Sequence, residues 1–160
     1  MNNRVLVAIR SQPWAILPEY LGAIEAIALR ALDNPAVIAL ESGDHKDRMA
    51  EAIAEMGSPM PGTRSVAIRQ GVASIPLFGP IFPRANAMTE MCGATSLASL
   101  AADLRKADAS AEVRHILIVS DSPGGQITDV RAFAALLGGL SKPVTVFVSG
   151  MCCSAAYHIC

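Results

Sequence analysis

The chain has 160 residues, enough for one domain with a substantial core or for a small domain and part of another. With 52% hydrophobic and 17% charged residues it reads as globular rather than disordered, and a net charge of −1 without a basic block interleaved with aromatics argues against a nucleic-acid partner. The apolar run at residues 5–9, ended by Arg10, is too short for a membrane span or a signal peptide, so the four cysteines are expected to be reduced thiols in a cytoplasmic protein.

In chain order, residues 4–10 (RVLVAIR) read as a short strand or an extended lead-in, and PWAILP (13–18) as a break. EYLGAIEAIALRAL sets Leu21, Ile24, Ala28 and Leu32 at helical spacing and predicts an amphipathic helix ending at Asp33, Asn34 and Pro35. Residues 44–56 (DHKDRMAEAIAEM) predict another helix. GSPMPG (57–62) is the most linker-like stretch and marks a boundary between a mostly helical N-terminal segment, 1–62, and a second unit, 63–160. SVAIRQGVASIPLFG reads as two short strands around Gln70 and Gly71, with Pro76 pushing the second toward an edge or a bulge. TSLASLAADLRKA repeats Leu97, Leu100 and Leu104 as a helix would, with Thr95 or Ser96 as N-cap. HILIVS (115–120) predicts a strand, DSPGG (121–125) a turn, QITDVRAFAALLGGL (126–140) a helix and VTVFV (144–148) a second strand.

Apolar strands separated by a helix predict an α/β fold, a parallel sheet built from βαβ units and covered on both faces. The C-terminal ends of two parallel neighbours lie at one edge of the sheet, where open α/β sheets place their ligands. DSPGG and GMCCSAAY should therefore face each other. Gly124 and Gly125 lack a Cβ and can turn backbone N–H groups outward, toward an anion or a developing oxyanion. Ser154 falls where a strand ends and a helix begins, with the Ala155 N–H beside it. A nucleophile with two amide donors is the layout of acyl transfer. The same residues also fit a plain structural account, since Pro-Gly-Gly is an ordinary turn and a serine before a helix an ordinary N-cap.

VSDSPGGQITD and FVSGMCCSAAYHI, taken together, resemble the paired motifs of serine peptidases of the signal peptide peptidase A type, including their phage prohead-protease branch, in the ClpP/crotonase superfamily. GVASIPLFGPI is similar to that family's opening strand, and SQPWAILPEYLGAI to the N-terminal lead of its phage-type members. The resemblance implies a ClpP/crotonase-like fold, of which this chain would be the first part. It implies Ser154 as nucleophile, Gly125 and Ala155 as oxyanion donors, Gly124 as the residue shaping the turn, and Gln126 and Ile127 along a groove where a peptide adds as an extended strand. No metal or cofactor is implied. The implied partners are a polypeptide substrate, a capsid or scaffold protein of a prophage-encoded assembly, and further copies of the chain.

The family's base is a lysine made neutral by burial. Lys142 precedes its strand and so lies at the edge opposite Ser154, about 15 Å away at 3.3 Å per residue. Lys106 ends a helix feeding that same far edge, and Lys46 lies in the N-terminal segment, so the base is expected downstream of residue 160. His158 shares a helix face with Ser154 but reads as packing; His115 and His45 sit elsewhere, and Asp121 and Asp129 read as turn or helix-start residues. Cys152, Cys153 and Cys160 match no zinc spacing and read as buried small residues. Two other readings stand beside the peptidase: a catalytically silent module with a role in assembly, and an acyl-thioester enzyme of the crotonase type.

Overall fold

A computed structural model describes residues 3–34 and 36–160 of the chain. It begins with α1 (Asn3–Arg10), where the alternating apolar residues suggest a strand or an extended lead-in. That expectation is corrected: Ile9 is buried with Ile24 and Ala28, and the Arg10 guanidinium donates twice to the Glu25 carboxylate, at 2.7 and 2.9 Å. Contacts with the next helix decide the conformation of this segment. The first strand lies instead inside the supposed break, as β1 (Trp14–Ile16).

Pro18 opens α2 (Pro18–Asp33), where a missing N–H costs no bond. Ile24 and Ala28 are buried, but Leu32 at the end of the expected stripe is 38% exposed. α3 (Ala36–Met56) is longer than the 44–56 predicted. GSPMPG contains β2 (Ser58–Pro59), which pairs with β3 (Ala67–Arg69). β3 and β4 (Val72–Phe78) form the expected hairpin through Gln70 and Gly71, whose φ of 53° and 81° suit a tight primed turn. Next come β5 (Ile81–Phe82), α4 (Ala87–Met91) with an Asn86/Thr89 capping box, β6 (Thr95–Ser96) and α5 (Leu97–Ala109). Ser96 caps α5 through its Oγ, which accepts the Ser99 N–H.

β7 (His115–Ser122) is interrupted at Pro123 and followed directly by β8 (Gly124–Gln126), so DSPGG is a kink between two strands rather than a turn. The predicted helix at 126–140 accordingly starts late, as α6 (Val130–Gly138). β9 (Val144–Cys152) and α7 (Ala155–Ile159) complete the order.

The result is a mixed α/β fold. One sheet has five strands in the order β2-β3-β4-β7-β9, with β4, β7 and β9 parallel; the other has four, β1-β8-β5-β6. Pro76 lies in the interior strand β4, not on an edge strand, yet it is past Ser74, where pairing with β3 ends, so its missing N–H disrupts no bond on that side. The core joins Ile75 and Leu77 of β4 and Ile116 and Ile118 of β7 to Leu97, Leu100 and Leu104 of α5, Phe133 of α6 and Ala155 of α7. Residues 73–77 are all buried, as for a strand covered on both faces. β9 departs from that expectation, with Phe147 58% and Val148 49% exposed, because it is the edge strand of its sheet. Among the described residues no helix is long and apolar enough to cross a membrane.

Candidate functional site

β7 and β9 run parallel, with Ser120 opposite Val148 and Ser122 opposite Cys152. β9 thus carries extra residues between these two pairings, a bulge of the kind that re-aims a strand end. Polar groups of β7 stitch it down. The Ser120 Oγ donates to Met151 O at 3.1 Å, the Met151 N–H donates to Asp121 Oδ1 at 2.9 Å, and the Cys153 N–H donates to Ser122 O at 3.1 Å. The fully buried Ser122 also donates its Oγ to Gly79 O at 2.7 Å and accepts the Gly124 N–H at 3.3 Å.

These bonds bring the two loops into contact. Gly124 has φ +100°, and a Cβ there would stand 3.0 Å from both Cys153 O and Ser154 Cβ and would strike Ala15 O. A Cβ on Gly125 would stand 2.6 Å from Ile81 Cα, because β8 is pressed against the β5 backbone. Both positions therefore exclude a side chain by close approach.

Ser154 occupies the junction of β9 and α7 with φ 54° and ψ −115°, a conformation that L-residues rarely adopt. A serine on a strained strand-to-helix turn is the arrangement of a nucleophile elbow. The residue is exposed and, although at the N-cap position, makes no side-chain capping bond. The ordinary N-cap account thus lacks its defining bond. Ala155 follows it, fully buried, and the Ala156 N–H donates to Cys153 O.

Gln126 is half-buried opposite Trp14, and Ile127 is 47% exposed. The β1 segment beside them lies in what the sequence presents as a break, where Trp14 and Ile16 between Pro13 and Pro18 are the available strand signal.

The in-chain cations are engaged elsewhere. Lys46 pairs with Glu90 at 3.2 Å, Lys106 donates to Gly62 O, and Lys142 donates to Ala107 O and Ser110 O. His115 shares a hydrogen bond of 2.8 Å with Thr145, His45 lies 3.3 Å from an Arg48 nitrogen, and His158 is exposed on α7. Asp129 precedes α6 with φ 67° and makes no side-chain cap. Cys160 is exposed rather than the buried small residue expected, and partial desolvation above all, with the neighbouring Cys152, raises its thiol above the ordinary value. Cys152 and Cys153 are half-buried free thiols. Among the described residues no group of three or more His, Cys, Asp or Glu could hold a metal ion. A cavity of about 290 Å³ lined by His45, Lys46, Arg64 and Glu90 shares no residue with the loops around Ser154.

Among curated proteins, the chain is similar to the head-tail preconnector protein GP5 of Enterobacteria phage P21, with 30% identity over 115 residues, covering 71% of this chain and 23% of that protein. It is also similar to the capsid assembly protease C of Escherichia phage lambda, with 27% identity over 135 residues, covering 83% of this chain and 28% of that protein. The chain thus spans about a quarter of the length of the curated relatives it matches. No protein-family model matches it.

Proposed function

We propose that the chain is part of a serine peptidase acting in phage capsid maturation, with Ser154 as nucleophile. The observation that carries this reading is the backbone of Ser154, strained at φ 54° on a strand-to-helix turn beside Gly124. Similarity to a capsid assembly protease supports the reaction class. In this reading the Ser154 Oγ attacks a peptide carbonyl, its proton passes to a lysine base and from there to the departing amine, and the C–N bond breaks to leave an acyl-serine ester that water then hydrolyses. The Gly125 and Ala155 N–H groups hold the developing oxyanion, Gly124 keeps the approach open, and Gln126 and Ile127 flank the bound peptide. The fold in this proposal is ClpP/crotonase-like, with residues 63–160 as part of the peptidase domain and 1–62 as a mostly helical segment that contributes β1 and β2 to its two sheets. The substrate is a capsid or scaffold polypeptide inside an assembling head, and the working form is a homo-oligomer.

A fluorophosphonate probe applied to the protein with its downstream sequence is expected to label Ser154. Labelling that persists in Ser154→Ala overturns the assignment. A second reading, in which residues 1–160 alone are catalytically silent, is favoured by the engagement of Lys46, Lys106 and Lys142 in other bonds. Peptide turnover by the 160-residue chain would exclude it.

A further inference from the structure

β1 lies antiparallel on β8, with Trp14 opposite Gln126, Ala15 opposite Gly125 and Ile16 opposite Gly124. Just beyond the strand ends, the Ile127 N–H donates to Pro13 O and the Leu17 N–H to Pro123 O, each at 3.1 Å. Bonded and open pairs alternate along an antiparallel ladder, so these two flanking bonds make Ala15 and Gly125 the bonded pair between them. The Gly125 N–H therefore donates to the Ala15 carbonyl. That oxygen presses on Gly124 from the side where a Cβ would project, the side on which Ser154 Cβ also stands. A peptide carbonyl of this chain thus holds the donor assigned above to the oxyanion, next to the serine.

We infer that Trp14–Ile16 is a built-in occupant of the peptide groove: a substrate-like strand that blocks the site until it is displaced. The incoming polypeptide then pairs with Gly124–Gln126 in the same extended, antiparallel manner. This inference rests on the reading of Ser154 and Gly125 given above and concerns the regulation of that site.

Three features make the strand removable. It is the outer strand of its sheet, so its departure leaves β8, β5 and β6 paired. Pro13 and Pro18 bracket it and limit the ladder to a few bonds. Its main anchor, Trp14, stacks edge-on against Phe82 at 5.5 Å and donates Nε1–H to Ile9 O at 2.8 Å, and Trp14 and Ile16 sit against a small apolar cluster separate from the main core, which of the three strand residues only Ala15 touches. Such satellite contacts open more readily than the core.

The test compares the wild-type chain with Trp14→Ala and Ala15→Pro, the second of which removes the N–H that completes the Ala15–Gly125 pair. Amide hydrogen exchange at Gly125 and Ile127 is expected to rise by about tenfold or more in both variants while Ile116 and Ile118 stay protected. A blocked peptide of residues 12–17 should restore the protection. With the downstream sequence present, probe labelling of Ser154 should accelerate in the variants and slow again when the peptide is added. Unchanged exchange at Gly125 overturns the occupancy, and labelling that does not respond to released protection overturns the blocking role. Absence of labelling in every form, with exchange and peptide protection as expected, overturns the nucleophile assignment and leaves the strand's occupancy supported.

Discussion

At the scale of single residues, Ser154 combines strain with exposure. Holding an L-residue in such a backbone region costs about 1–3 kcal/mol, which neighbouring structure must offset. Here the offset comes from the bonds of Ser122 and Ala156 to Cys153 and from the packing of Ala155 and Ile159 in the core. Glycine bears no such penalty. Ser154→Gly is therefore expected to be more stable than Ser154→Ala by about 1 kcal/mol, measured from urea midpoints at equal m-value, although both lose the hydroxyl. Equal stability of the two variants would mean that the turn is not strained in solution. Gly125 is the converse case, since the Ile81 backbone occupies the space that any side chain would need.

At the scale of elements, acidic side chains fasten loops to α5. Buried Asp103 accepts the Arg64 and Ser65 N–H groups, each at 2.9 Å, and so holds the segment leading into β3. Asp108 accepts the Ser141 and Lys142 N–H groups, each at 3.0 Å, and so fixes the entry to β9. The Ser141 N–H above all, helped by the Ser141 hydroxyl, the Lys142 N–H and the Lys142 charge, holds the Asp108 carboxyl below its ordinary value. A depressed folded-state pKa means that the carboxylate adds stability above the unfolded-state pKa and that this stability is lost as pH falls through the folded-state value. Asp108→Asn should accordingly lower the thermal midpoint at pH 7 and have little effect at pH 2. Thermal melts across that range check the sign, and a loss that persists undiminished at pH 2 would rule out the charge as its origin.

For the molecule as a whole, burial is concentrated where α5, β4 and β7 meet and thins toward β9. Ile118 is fully buried between β4 and β9, whereas Phe147 is 58% exposed on the edge strand. Ile118→Ala should cost about 2–5 kcal/mol by lost transfer energy and a residual cavity. Phe147→Ala should stay within about 0.5 kcal/mol, as expected for a surface site. Denaturant unfolding of the 160-residue chain measures both. A large loss at Phe147 would show that this chain covers the β9 face in solution, as self-association would do.

The sequence by itself determined the elements whose signal is local. Leucine spacing and a Ser96 cap specify α5, the apolar period of α2 places Ile24 and Ala28 inward, and Gln70-Gly71 turns the β3–β4 hairpin. The parallel strands at 115 and 144 also made it legible that their C-terminal ends share an edge, where Gly124 and Ser154 now stand side by side. Only the tertiary structure decided that residues 4–10 are helical, that DSPGG continues as a strand, and that WAI pairs with it. These segments have three to eight residues, too few for a period of 2.0 or 3.6 to declare itself, and their conformation is set by partners elsewhere in the chain. A strand such as Trp14–Ile16 exists because Gly124–Gln126 offers it hydrogen bonds, and that offer is not written in its own three residues.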